Sequence, residues 1–306
     1  MPLRALIAAP LLAVVCGQAL AADVIGFGEA FDTLYSVNLS THTAAEIGRA
    51  TALESATRWA NIEGLTFSPA GKLYGVSDAG ASKTLLQIDR SSGLATPIGT
   101  LNLGTSQQLD LGLAFTADGR LWLSSGPGNF WQVSLADASV TLVGNLGVKI
   151  TGLTSRGNTL YGAGSQGNNT LYQIDPATAH ATAIGAYGAS VGYITTASPG
   201  FDASGKLWLV LDYVPPPSGQ SPQWSDLASA NANGSLTNEG AITAPAGRSA
   251  DDLAFIGLKG LAIVPPQGGG QQQLDSTPAS SWFGLSLLIL LLGAGAGTRL
   301  RRHRPN

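Results

Sequence analysis

The sequence predicts an all-β fold, a five-bladed β-propeller, and three observations support that fold class. An aromatic residue or a leucine is followed thirteen residues later by a glycine five times along the chain. A second motif, with a glycine turn between two apolar stretches, alternates with the first. The first and last repeats are complementary halves of one unit. A ring of four-stranded blades, closed by its own termini, satisfies all three observations.

The thirteen-residue motif is typical of a β-hairpin. In four of the five copies an apolar stretch and a polar turn are followed by a second stretch that ends in Ile-Gly or Val-Gly. The five residue pairs are Tyr35 and Gly48, Leu86 and Gly99, Trp131 and Gly144, Tyr172 and Gly185, and Leu227 and Gly240.

The glycine-turn motif predicts a second hairpin in each unit. Ala-Gly, Asp-Gly or Ser-Gly stands at the turn in three copies, because a tight connection needs a residue with positive φ. A Leu-Tyr, Leu-Trp or Leu-Ala pair in this motif begins at residues 73, 121, 160, 207 and 261. The resulting period of roughly 40 to 50 residues is the length of a propeller blade. The copies occupy residues 64–74, 112–122, 152–161, 200–208 and, in degenerate form, 252–262.

We expect N-terminal and C-terminal strands to close the ring together. The hairpin at 33–48 has no glycine-turn motif before it, and the hairpin at 253–264 has no thirteen-residue motif after it. Joined in one sheet, they complete a fifth blade and leave no open edge. A sixth blade is the alternative if 50–62 contains further strands. A β-sandwich or an open solenoid is the alternative if the repeats are fortuitous.

The N-terminal residues 1–21 read as a secretory signal peptide. One early arginine precedes an apolar run at 5–15, and Ala19-Leu20-Ala21 is a small-residue cleavage site. The apolar run is too short to span a bilayer. The single cysteine, Cys16, lies inside this segment, so the mature chain has no thiol for a disulfide or a metal. A lipid-modified Cys16 is the alternative.

The C-terminal residues predict a tether and a membrane anchor. After a propeller domain at 23–264, a Pro-, Gly- and Gln-rich linker at 265–281 breaks the periodicity. Residues 282–298 form an uncharged, leucine-rich transmembrane helix, and 299–306 a basic tail. Arginines after the span predict a cytoplasmic C-terminus, which places the propeller on the periplasmic or extracellular side.

Composition argues against nucleic acid as a partner. Charged residues make up only 11% of the chain, and acidic residues outnumber basic ones, 19 to 16. Several of the basic residues lie in the two termini, so the predicted propeller is net acidic, which disfavours binding to phosphate backbones.

The C-terminal region resembles the sorting signals of exported bacterial proteins, of the IPTL-CTERM and PEP-CTERM types. Pro278, Ser281, Trp282 and Gly284, followed by the leucine-rich span and the arginines, carry the resemblance. It implies recognition, and often cleavage, by a sorting peptidase in the membrane; a plain anchor is the alternative. The repeat at 171–185 is similar to exported bacterial β-propeller repeats in which Tyr-x-Ile-Asp-Pro-x-Thr-Gly recurs, and this implies fold and export.

Carboxylates are the candidate ligand-binding residues. They precede or begin the innermost strand of several predicted blades, where the blades converge on the axis, and oxygen ligands suit Ca²⁺. Solvated carboxylates at strand starts are the alternative. We name no catalytic residue, since His42 and His180 fall in turns and His303 in the tail. The four candidates are Glu63, Asp110, Asp251 and Asp252.

The sequence favours a binding or cell-envelope interaction module that is exported and tethered to the membrane, with a protein or glycan ligand that no motif identifies. No cofactor is implied apart from the candidate Ca²⁺. The alternatives are a hydrolase or lactonase-like enzyme with a metal in the channel, and a surface protein with a purely structural role.

Overall fold

The chain folds as a five-bladed β-propeller, as the sequence predicts. The computed structural model describes residues 23–51, 59–78, 82–104, 109–189, 191–213, 225–245 and 257–264. Within these ranges, twenty strands form five antiparallel sheets of four strands each, and there is no helix. No sixth sheet forms among the described residues, and residues 52–58 of the segment proposed for it lie outside them.

The blades are numbered from the one that holds both ends of the chain. In each blade the strands are given from the innermost to the outermost. Blade 1 consists of β20 (Lys259–Ile263), β1 (Ile25–Ala30), β2 (Thr33–Asn38) and β3 (Thr43–Arg49). Blade 2 consists of β4 (Ile62–Phe67), β5 (Leu73–Ser77), β6 (Lys83–Ile88) and β7 (Ala95–Leu101). Blade 3 consists of β8 (Gly112–Phe115), β9 (Leu121–Ser124), β10 (Asn129–Val133) and β11 (Val140–Asn145). Blade 4 consists of β12 (Gly152–Arg156), β13 (Thr159–Ala163), β14 (Thr170–Asp175) and β15 (His180–Ala186). Blade 5 consists of β16 (Ile194–Phe201), β17 (Leu207–Tyr213), β18 (Asp226–Ala230) and β19 (Leu236–Ala241).

The innermost strands β4, β8, β12, β16 and β20 surround the axis, each in contact with its two neighbours. All five run in the same direction, so the axis has a top face, where these strands begin, and a bottom face, where they end. Residues that open each innermost strand therefore converge at the top, and residues that close it converge at the bottom.

Ring closure occurs in blade 1, but with a different division of strands from the expected one. Three strands come from the N-terminal region and one, β20, from the C-terminal region. The strand that sequence reasoning missed is β1, whose Gly26 and Gly28 let β20 and the residues before it approach closely. A Cβ at Gly28 would lie 2.7 Å from Leu258. Residues 253–256, which were expected to supply another strand, lie outside the described residues.

The thirteen-residue motif has a steric explanation. Its glycine lies on the outermost strand of a blade, directly against the outer turn of the next blade. A Cβ at Gly48 would lie 2.2 Å from the carbonyl oxygen of Ser92, and one at Gly185 would lie 2.0 Å from that of Asn233. Only glycine permits this approach without displacing backbone. The spacing is thus a signature of packing between blades.

Between the blades lies an apolar core built from the repeated aromatic position. Tyr74 of blade 2 packs against Phe115 of blade 3 with ring centroids 5.3 Å apart. Tyr161 of blade 4 meets Phe201 of blade 5 edge-on at 5.0 Å. Trp122 and Trp208 occupy the same repeat position and are also buried. Packing of these rings at four of the five junctions stabilises the ring of sheets.

No helix long and apolar enough to cross a membrane occurs among the described residues. The predicted signal peptide (1–21), linker (265–281), transmembrane helix (282–298) and basic tail (299–306) lie outside them.

Candidate functional site

Two of the predicted site residues, Glu63 and Asp110, lie at the top face of the axis. They line a narrow cavity together with Thr151 and Ser198, the residues at corresponding positions of other blades. The cavity has a volume of about 10 Å³, which is on the scale of a single water molecule.

Glu63 is neutralised by a lysine from the closing strand. Its Oε1 lies 2.6 Å from the Nζ of Lys259, and its Oε2 accepts a hydrogen bond of 2.8 Å from the backbone N–H of Leu111. Lys259 also donates to the side-chain oxygen of Asn61 at 2.9 Å. The carboxylate is buried, so this charge pairing and hydrogen bonding offset the cost of removing it from water.

Asp110 is paired in a similar way, from a neighbouring blade. Its Oδ2 lies 3.5 Å from the Nζ of Lys149 and accepts a hydrogen bond of 3.1 Å from the amide of Gln166. Lys149 in turn donates to the amide oxygen of Gln166. Asp110 has φ of 54°, a left-handed conformation that aspartate tolerates better than most residues.

The described residues of the top face do not fit a calcium site. The oxygens of Glu63 are taken by Lys259 and a backbone N–H, and no group of three or more potential metal ligands occurs in the described part of the chain. Two lysines supply the positive charge that a cation would bring. Asp251 and Asp252 lie outside the described residues, and the Ca²⁺ site stays a prediction that depends on them.

A third carboxylate, Asp212, lies near Lys259 and was not predicted. It is fully buried at the end of β17, where Thr196 and Ser225 donate hydrogen bonds of 2.6 and 2.5 Å to its two oxygens. Burial raises the pKa of Asp212 to about 6, although these hydroxyls and the charge of Lys259 act in the opposite direction. Its position on a second strand, rather than at the start of an innermost one, left it outside the sequence pattern.

The larger cavity lies at the opposite, bottom face and was not predicted. We call it the bottom pocket. It has a volume of about 400 Å³ and is lined by residues of all five innermost strands and of four hairpin turns, which is within the usual range for small-molecule sites. Its apolar lining includes Leu65, Phe67, Phe115, Phe201 and Leu261, and its polar lining includes Thr66, Ser68, Thr154, Arg156 and Asp202.

In blades 2 to 5, the hairpin that joins the innermost strand to the next carries a cation. The four are Lys72, Arg120, Arg156 and Lys206, and of these Arg156 lines the bottom pocket. Arg120 pairs with Asp118 at 2.6 Å and Lys206 with Glu239 at 2.9 Å. The sequence signal was present, because three of these cations directly follow the turn glycine of the repeated motif. The position of Arg156 in the pocket wall becomes visible only when the ring is closed.

Asp202, the carboxylate in the pocket lining, is held in place by its own turn. Its oxygens accept hydrogen bonds from Ser204, from the backbone N–H of Lys206 and, at 2.9 Å, from the indole of Trp208. Burial opposes ionisation of Asp202, but these hydrogen bonds outweigh it and keep its pKa below the usual value. The group is 8% exposed and serves to fix the turn.

Comparison with known proteins identifies the family. Residues 64–245 match the family described as a repeat of unknown function, DUF6923. The chain belongs to the DUF6923 repeat family. The match covers blades 3 to 5 completely and all of blade 2 except the first two residues of β4, so it spans four of the five four-stranded blades. No curated protein sequence matches this DUF6923 chain.

Solved structures similar to this DUF6923 protein share its fold at low sequence identity. A chain of a nidogen/laminin complex is 12% identical, with a TM-score of 0.50, over 80% of this chain and 99% of that one. An engineered GH43 glycoside hydrolase with endo-xylanase and exo-arabinofuranosidase activity is 11% identical, with a TM-score of 0.50, over 81% of this chain and 53% of that one. At such identities the likeness concerns the fold alone.

Proposed function

We propose that this protein is a ligand-binding module of the cell envelope, exported and tethered to the membrane, and that its ligand is a small molecule held in the bottom pocket. The single observation that carries this proposal is the 400 Å³ cavity to which all five blades contribute. A site of this kind depends on the closed ring, since no single blade provides more than one wall.

The lining of the bottom pocket favours binding over catalysis. Its described residues combine apolar and aromatic walls with hydroxyls and a guanidinium, and include no histidine or cysteine. The lining carboxylate, Asp202, is committed to its turn by hydrogen bonds. General acid–base chemistry needs a group that can exchange protons with the substrate. Among the described lining residues, the carboxylate that could do so already accepts hydrogen bonds from its own turn.

Export and tethering rest on the sequence. A signal peptide at 1–21, the span at 282–298 and the arginines of 299–306 give one consistent topology, with the propeller outside the cytoplasm. The resemblance to sorting signals supports recognition of the tail by a membrane peptidase. Full-length protein is expected in the membrane fraction, and its propeller is expected to be accessible to protease added outside the cytoplasmic membrane.

The binding function is tested by filling the bottom pocket. Thr154 is half-buried in its wall, and Thr154→Trp would place an indole in the cavity. Melting temperature is measured for the full-length chain in detergent with and without a small-molecule extract of the cell envelope. A ligand that binds the folded state alone raises the melting temperature, so the wild type should show a rise that Thr154→Trp lacks.

Thr182→Trp is the matched control, because Thr182 is exposed on the outermost strand of the same blade. It should behave as the wild type. A rise that persists in Thr154→Trp would place binding elsewhere, and no rise in the wild type would contradict the proposal.

A further inference from the structure

We propose that the bottom pocket selects ligands that carry a carboxylate on an apolar body, and that Arg156 recognises the carboxylate. This inference rests on the proposed function of the pocket and adds the chemical class of its ligand. It is carried by the charge, the contacts and the position of one side chain at the rim.

Arg156 differs from the other rim arginine in having no ion-pair partner. Arg120, on the equivalent hairpin of blade 3, places two guanidinium nitrogens 2.6 and 2.7 Å from an oxygen of Asp118. Among the described residues, no carboxylate forms an ion pair with Arg156. Its charge is therefore available to an incoming anion, whereas that of Arg120 is satisfied within the protein.

The guanidinium of Arg156 is held in position by the neighbouring blade. It lies 5.9 Å from the centroid of the Phe201 ring, a distance at which a cation is attracted to the ring face. On its other side it packs against Gly205, where an added Cβ would lie 2.5 Å from Nη2. A side chain fixed before binding loses less conformational entropy when the ligand arrives.

The geometry favours a carboxylate attached to an apolar group. A planar guanidinium matches the two oxygens of a carboxylate through paired hydrogen bonds. Phosphate sites in proteins usually add several backbone N–H groups or further free cations, as at glycine-rich loops, whereas Arg156 is the single cation among the described residues that line the pocket. The lining also includes the apolar side chains of Phe115, Leu153 and Leu261, which suit a hydrocarbon or aromatic body.

Asp202, although part of the lining, does not cancel this preference. Its oxygens receive hydrogen bonds from its own turn and from Trp208, so they are already occupied by donors within the protein. The hydroxyl of Thr154, which has no described hydrogen-bond partner, is available to orient a ligand in the pocket.

The experiment compares two probes of equal shape, 2-naphthoate and its neutral amide 2-naphthamide, by fluorescence titration of the full-length chain in detergent. Because a hydrogen bond to a charged group is worth about 1.5–3 kcal/mol, the wild type should bind the acid at least about tenfold more tightly than the amide. Arg156→Gln should abolish the preference, because it weakens binding of the acid at least about tenfold more than binding of the amide. Arg120→Gln, the matched control, should keep it.

The outcomes separate this inference from the proposed function. If both probes bind equally and Thr154→Trp abolishes both, the pocket binds small molecules and carboxylate recognition is wrong. If Arg120→Gln loses the preference to the same degree, the effect is one of general charge and the assignment to Arg156 is wrong. Tighter binding of 2-naphthyl phosphate than of 2-naphthoate would overturn the carboxylate class. If no probe binds, both proposals fail.

Discussion

At the scale of single residues, the repeated glycines determine how closely the blades pack. Four of the five glycines of the thirteen-residue motif meet the next blade's outer turn so closely that a Cβ would come within 3.0 Å of it. The fifth, Gly240, faces His42 of blade 1 at 3.7 Å and has φ of 116°. The motif was readable in the sequence because one steric requirement recurs at four of the five junctions.

Gly185→Ala should destabilise the protein through a single clash. The new methyl group would meet the carbonyl oxygen of Asn233 at 2.0 Å, and moving this backbone away would cost free energy of folding. We expect the free energy of unfolding to fall by about 3 kcal/mol, the upper end for overpacking. Gly192→Ala is the control, because no atom lies within 4 Å of its Cβ position. Chemical denaturation of both variants checks this, and equal stabilities would contradict the packing explanation.

At the scale of elements, the closing strand β20 depends on side chains from the blades on both sides. Ser198 of blade 5 accepts a hydrogen bond of 3.0 Å from the N–H of Gly260. Asp212 accepts one of 3.1 Å from the N–H of Leu258. On the other side, Glu63 of blade 2 pairs with Lys259. These contacts hold β20 in blade 1, although β20 is far in sequence from the other three strands of that blade.

Asp212 should make stability depend on pH. Its pKa is about 6 in the folded protein and near 3.8 unfolded, so the folded state binds the extra proton between these values. Stability contributed by this proton is complete below pH 3.8 and is lost as the pH rises through 6, by about 3 kcal/mol at about 1.4 kcal/mol per pKa unit. Denaturation at pH 4 to 7 should show this decline in the wild type.

Asp212→Asn should remove most of the decline over that interval. Asp175→Asn is the control, because hydrogen bonds from Ala177 and Thr178 lower the pKa of that exposed carboxyl. It should retain the decline. Glu29, whose burial and neighbour Asp32 raise its pKa, should contribute a decline of the same sign in Asp212→Asn. An unchanged slope in Asp212→Asn would show that Asp212 is not the group responsible.

At the scale of the whole molecule, stability and the bottom pocket both depend on ring closure. Strand β20 pairs with β1 and also contacts β4 and β16. Without it, blade 1 has an exposed strand edge, and the apolar sides of its two neighbours face water.

Two truncations test the role of β20. A chain ending at Val264 keeps every described strand and should unfold in one cooperative transition. A chain ending at Gly257 lacks β20 and should lose that transition and bind neither naphthyl probe. A peptide of residues 258–264, added in excess, should restore the cooperative transition of the shorter chain. Thermal melts followed by circular dichroism check this, and a cooperative transition in the shorter chain without peptide would contradict it.

The sequence predicted the five blades and their closure because turns and strand spacing are local features. It did not predict β1, whose residues carry neither repeated motif. The pairing of Glu63 with Lys259 was also missed, since 196 residues separate them in the chain. For the same reason the bottom pocket was missed, because its walls come from strand ends that meet only in the closed ring. Features set by neighbouring residues could be predicted from the sequence, whereas contacts between residues far apart in the chain could not.

The antiparallel pairing of β1 with β20, in which Gly26 lies opposite Ile263, has a topological consequence. The first and last described residues lie side by side, as the two ends of a hairpin do. A short Gly-containing connection between them would turn this pair into a fifth inner hairpin. New termini could then be introduced in a turn of any other blade. The resulting circular permutant would have the same ring, but a different blade would hold both ends of the chain.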